Sequence, residues 1–180
     1  FIQGDDVVTW VVGHVLHQAE PGDYDDKYIR WRPQDLPIVP TEWKLLITDS
    51  SRQQFETVKE LIGKADIIVN AGDPDREGQL LVDEVLYFVG NTKPVQRILL
   101  NALDEKSVKS ALGDLRDNQD FHNLYQSALA RARADWLDAG FCCAWRCQLP
   151  PFHSGFPQRL SVHERTRLFH LRLLRLPHWR

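Results

Sequence analysis

Residues 66–78 read Asp66-Ile67-Ile68-Val69-Asn70-Ala71-Gly72-Asp73-Pro74-Asp75-Arg76-Glu77-Gly78, and this stretch decides the fold. Residues 66–71 form a short apolar run of the kind that is buried in a parallel sheet. An acidic turn follows at once. Leu80, Leu81, Val82, Val85 and Leu86 then recur at helical spacing, and Gly90-Asn91 closes the pattern. Open α/β sheets place their ligands just beyond the carboxyl end of such a strand.

The same alternation extends in both directions. Val7 to Val12 and Trp43 to Thr48 read as strands. The stretch between them, residues 20–40, is rich in Asp, Pro and Tyr and reads as a long irregular connection. Asp49 or Ser50 caps a helix with Phe55, Val58, Leu61 and Ile62 on one face, and Gly63 stops it. Val95 to Leu100 is a further strand. Val108, Ala111, Leu112 and Leu115 mark a helix, with Ser107 either inside it or capping it. Phe121 to Ala139 is the strongest helical pattern, with Leu124, Ala128, Leu129, Ala132 and Trp136 on its face. Trp10, Trp43 and Trp136 are expected as core anchors, and Tyr87 as a packing residue. Asp114 to Asp120 is expected to be a solvated link. Strands alternating with helices predict an α/β sheet with helical cover.

The turn carries the chemistry. Alternate positions of extended backbone point the same way, so Asp73, Asp75 and Glu77 are expected to converge. Carboxylates held together repel one another unless a cation neutralises them. A hard ion such as Mg²⁺ takes oxygen ligands of this kind, keeping waters and binding substrate phosphate. Arg76 offers a planar fork for an acid or a phosphate, and Gly78 allows close approach at the start of the helix. The same residues also suit an ordinary acidic turn with helix-capping aspartates.

Asp73-Pro74-Asp75-Arg76-Glu77-Gly78-Gln79 resembles the acidic motif of the Toprim domain in type IA DNA topoisomerases. Val8-Thr9-Trp10-Val11-Val12-Gly13-His14-Val15-Leu16 is similar to that family's Trp-x-x-Gly-His-Leu segment. Tyr28 to Pro40, with Trp31, resembles the stretch that follows. Ser127 to Leu137 resembles the helix leading out of the domain. Together they point to the bacterial topoisomerase III kind, over roughly residues 1–140. The resemblance implies cleavage and rejoining of single DNA strands through a phosphotyrosine. It implies a Mg²⁺ site at Asp73, Asp75 and Glu77, with His14 and Arg76 facing DNA phosphate or ordering the acidic loop. The partner implied is a single-stranded segment of DNA, in the cytoplasm, with no small-molecule nucleotide. A Toprim nuclease, a primase-like nucleotidyl transferase or a non-catalytic DNA-binding fragment are the rival readings.

The family begins with a strand ending in a Glu-Lys-Pro-Ser-like segment. This chain starts after it, so its sheet is expected to lack that first strand. None of Tyr24, Tyr28, Tyr87 and Tyr125 lies in anything like the family's nucleophile segment. The chain alone is therefore expected to be inactive.

Composition sets the outer limits. The chain has 180 residues, 43% of them hydrophobic and 26% charged, with a formal net charge of −3. That suits a domain with a real core. No run approaches the length of a membrane span. The average hides a boundary, since residues 141–180 hold seven arginines, no lysine and one acid, Glu164. The expected organisation is a partial Toprim domain over 1–120, an exit helix over 121–140 and an atypical basic tail over 141–180. The tail reads as shifted in frame and poorly packed. A zinc site at Cys142, Cys143, Cys147 and His153 lacks the usual ligand spacing, and a DNA-binding arm lacks lysine.

Overall fold

The computed structural model describes residues 2–3, 6–30, 32–148 and 168–174, and of residues 2–3, 12, 33, 139–148 and 168–174 the backbone alone. In chain order the elements begin with β1 (Ile2–Gln3), β2 (Asp6–Val12), β3 (Leu16–Gln18), β4 (Leu45–Ile47), α1 (Arg52–Lys64) and β5 (Ile67–Ala71). They continue with α2 (Arg76–Phe88), β6 (Val95–Arg97), α3 (Glu105–Leu112), β7 (Arg116–Asp117), α4 (His122–Gln148) and β8 (Leu168–Leu174). The main sheet has the order β1-β2-β8-β5-β6-β7, and β3 pairs with β4 in a second, two-stranded sheet.

β5 is buried on both faces, and its side chains sort by alternation. Ile68 joins Phe55, Val58 and Ile62 of α1 and Leu81, Val82, Val85 and Leu86 of α2 in one core cluster. Val69 and Ala71 pack on Ile98, with Ala111 and Leu112 of α3 against them. Each fully buried side chain of this size contributes about 1.5–3 kcal/mol. A third cluster, Leu80 with Tyr125 and Ala128, fixes α4 on α2. Gly90 adopts φ +67° where the chain leaves α2, a conformation that favours glycine.

The α/β expectation therefore holds, with details the sequence did not carry. β2, β5 and β6 run in the same direction, as a parallel core should. β8 lies between β2 and β5 and is antiparallel to both, with Leu171 opposite Thr9 on one side and Asn70 on the other. The segment expected to be a poorly packed tail thus supplies a central strand, and α4 continues to Gln148. The side chains of the cysteines, the zinc reading on them, and Trp31 lie outside the described residues.

Two smaller expectations change, and one left open is settled. Trp10 is 42% exposed, because Thr9 and Val11 take the inward positions of β2. Leu124 is 38% exposed, and Tyr125 takes the inward place that leads to Ala128 and Ala132. Ser107 lies inside α3, where its N–H donates to the capping Asp104 carboxylate at 3.0 Å.

The irregular connection is tied down at its ends. Ala19 N–H donates to Lys44 O at 2.9 Å, and the Trp136 indole N–H donates to Ala19 O at 3.1 Å. Trp43 meets Trp136 edge to face at 5.4 Å. This brings His14, His17 and the start of β3 alongside α2 and α4.

Candidate metal centre in the acidic turn

The turn is built from backbone contacts before any side chain is considered. A Cβ on Gly78 would lie 2.4 Å from Asp73 O and 2.6 Å from Asp73 N. One on Gly72 would lie 2.6 Å from Gly78 O. Two chain segments are pressed together here, and only hydrogen fits between them. The close approach folds the acidic loop back over the first turn of α2.

Asp75 caps that helix. Its backbone is extended, and its Oδ1 accepts the Gly78 N–H at 2.7 Å. The extended alternation ends there, because Arg76 starts α2. Asp73 and Asp75 sit half-buried beyond the carboxyl end of β5, and Glu77 lies in the first helical turn. Among the described residues, no three Asp, Glu, His or Cys side chains are grouped tightly enough to hold an ion by themselves.

The expected convergence of Asp73, Asp75 and Glu77 is thus not seen, and their carboxylate oxygens suit only a hard ion that keeps much of its water. Mg²⁺ binds in this way through one or two carboxylates plus substrate phosphates. The site does not fit an ion that demands a closed protein cage.

Behind the acids lies a feature the sequence reading missed. Arg97, 1% exposed, holds the loop from within the core. Its guanidinium donates to Asn70 O at 3.1 Å, Asn70 Oδ1 at 3.0 Å, Gly72 O at 2.8 Å and Asp73 O at 2.6 Å. Burial lowers its pKa to about 10, against the pull of Asp83, Asp75 and Asp73, so it stays charged at neutral pH. Asn70 Oδ1 also accepts the Gly72 N–H at 3.0 Å.

A second group of polar side chains locks the base of this clamp. Asn118 Oδ1 accepts from Asn70 Nδ2 at 3.1 Å and from Gln79 Nε2 at 2.9 Å. Asn118 Nδ2 donates to Asp83 Oδ1 at 2.8 Å. Burial raises the Asp83 pKa, and the bonds from Gln79 and Asn118 oppose the rise. The signal for Arg97 and Asn70 was present, since each is a polar residue inside an apolar strand. Asn118 gave none, because it sits in a charged stretch that reads as solvated surface.

The remaining expected site residues lie at the rim. Arg76 is exposed and pairs with Glu77 at 3.8 Å. The His14 side chain is exposed at its edge. Its surroundings desolvate the ring enough to lower the pKa, while Glu77 pulls the other way. A cleft of about 750 Å³, lined by Tyr87, His122 and Tyr125, opens beyond Asn118 and excludes both aspartates. Tyr87 stands there 76% exposed, stacked on Tyr125 at 6.2 Å.

A Toprim domain family model matches residues 1–103. The chain belongs to the Toprim family. It is 50% identical to DNA topoisomerase 3 of Pasteurella multocida over 137 residues, which are 74% of this chain and 21% of that protein. It is 50% identical to DNA topoisomerase 3 of Vibrio cholerae over 136 residues, 73% of this chain and 21% of the relative. With DNA topoisomerase 3 of Staphylococcus aureus it shares 38% identity over 133 residues, 73% of this chain and 19% of the relative. The chain thus spans about a fifth of the length of the curated relatives it matches. In this Toprim domain the acidic turn, the glycine contact and the Arg97 clamp all meet at the carboxyl end of β5.

Proposed function

We propose that the acidic turn of this Toprim domain binds Mg²⁺ beside a DNA phosphate, within a DNA topoisomerase that cleaves and rejoins single DNA strands. The observation that carries the reading is the Arg97 clamp. It fixes the backbone of Gly72 and Asp73 from below and leaves the carboxylates of Asp73 and Asp75 at the rim. A loop held this firmly is pre-organised for a ligand. Asp73 and Asp75 are the ligands, with Glu77 acting through a retained water. Bound Mg²⁺ supplies orientation of phosphate oxygens and stabilisation of developing charge. Arg76 brings its fork to a phosphate at the start of α2, where the helix end also favours an anion. His14 supplies a further donor at the same rim.

The relatives, which are named as DNA topoisomerases, support DNA as the substrate. Their likeness covers 74% of this chain, more than the 103 residues of the Toprim match, and supports this reading over a Toprim nuclease or primase. No helix among the described residues is long and apolar enough to cross a membrane. Work on bacterial DNA belongs in the cytoplasm.

Binding to a fluorescent single-stranded oligonucleotide, followed by anisotropy at constant ionic strength, tests the proposal. Mg²⁺ should strengthen binding several-fold. Asp73→Asn with Asp75→Asn should abolish that gain and leave metal-free binding in place. Mg²⁺ that merely competes with the protein for phosphate, equally in both forms, contradicts the reading.

A further inference from the structure

Two turns beyond the acidic loop, α2 carries Glu84, a carboxylate only 5% exposed. It lines a cavity of about 320 Å³ shared with Leu45, Leu80, Gln18, His14, His17 and Trp136. Among the described residues no hydrogen bond or ion pair reaches that carboxylate. Arg133 attracts it from α4 but keeps its guanidinium 5.1 Å over the Trp43 ring, and Glu77 repels it from the same helix. Gln18 Oε1 is also buried without a partner. Glu84 and Gln18 Oε1 are hydrogen-bond acceptors, and the unpartnered donor nearby, Arg133 Nε, is buried on the α4 side and does not line the cavity. Burying an acceptor without a donor is unfavourable, and burying a carboxylate without one is far more so. Burial accordingly pushes the Glu84 carboxyl up to about 7.

We infer that this cavity is a socket for a guanidinium group, with Glu84 as its counter-ion and Gln18 as its second acceptor. A guanidinium offers donors in a planar fork, stacks on aromatic faces and is weakly hydrated. Those properties suit a small, partly open site lined by leucine and an indole. An ammonium ion is held by its water more strongly. A metal ion is disfavoured, since no three ligating side chains are grouped here among the described residues. The volume is at the lower end for small-ligand sites and admits one head group. The inference goes beyond the Mg²⁺ reading and stands without it.

The full chain at pH 8, titrated with methylguanidinium and separately with methylammonium, provides the test. The indole N–H resonance of Trp136, assigned with Trp136→Phe, reports on the cavity by NMR. Methylguanidinium should give a saturable shift, at roughly tenfold higher affinity than methylammonium. Glu84→Gln should weaken it by about tenfold or more with the unliganded spectrum preserved. A blocked Gly-Arg-Gly tripeptide separates the sources. Its binding assigns the socket to an arginine of a polypeptide, and binding of methylguanidinium alone assigns it to a free small cation. No saturable shift, equal response to methylammonium, or unchanged affinity in a natively folded Glu84→Gln overturns the inference. If Glu84→Gln does not fold, Gln18→Leu decides in its place, and unchanged affinity there overturns it.

Discussion

Arg97→Met is expected to destabilise the chain by about 3–5 kcal/mol, read as a lowered urea midpoint at unchanged slope. Methionine matches much of the volume of arginine, so the loss is not a packing loss. The carbonyls of Gly72 and Asp73 lose their side-chain donor at once, while that of Asn70 keeps the Ile98 N–H at 3.0 Å. Each buried acceptor left unpaired costs about 1–3 kcal/mol. The charge matters as well, because Asp73, Asp75 and Asp83 all favour the cationic guanidinium. Replacing a whole buried ion network by apolar residues is often harmless, but removing one partner leaves the others stranded. Arg97→Lys should recover only part of the loss, since one ammonium cannot span the carbonyls of both Asn70 and Asp73. A cost below about 0.5 kcal/mol for Arg97→Met, the ordinary range for a surface change, would show that the clamp does not hold the loop.

Glu84→Gln should act in the opposite direction, and only above about pH 4.5. The folded carboxyl titrates at about 7 rather than at its ordinary 4.5, chiefly because burial disfavours its charge. The unfolded chain releases this proton near 4.5, while the folded chain holds it until about 7. Stability is therefore full below the unfolded value and falls as pH rises between the two, by about 3 kcal/mol in all. Glutamine mimics the protonated form. The variant should match the parent near pH 4.5 and exceed it by up to about 3 kcal/mol at pH 8. Denaturation at the two pH values measures this directly, and an equal effect at both would refute it. An acid retained where it weakens the fold fits a group kept for binding, which is the role the socket gives it.

Much of the frame was legible because its signals are local. β5 and α2 announce themselves as an apolar run and a 3.6-residue period, and each is buried as its pattern requires. The acidic turn was legible because Asp73, Asp75 and Gly78 fall within six residues of sequence and meet in one turn. What could not be read depends on contacts between distant residues. Arg97 reaches back 24 positions to Asp73, and Asn118 lies 48 positions from Asn70. β8 is harder still, for nothing near residues 168–174 points to a place between β2 and β5. Trp10 was misplaced for a simpler reason. In a strand with apolar residues on both faces, composition alone does not say which face is inward, and Thr9 takes that side.

We propose that Asp73 and Asp75, on a loop clamped by Arg97, form an open Mg²⁺ site. Mn²⁺ shares the preference of Mg²⁺ for octahedral oxygen ligands and is visible by electron paramagnetic resonance. Titrating the full chain with Mn²⁺ should show a single bound ion per chain that Mg²⁺ displaces, and its loss in Asp73→Asn with Asp75→Asn. Mn²⁺ that stays free in solution, or that binds the double variant equally well, would rule this site out.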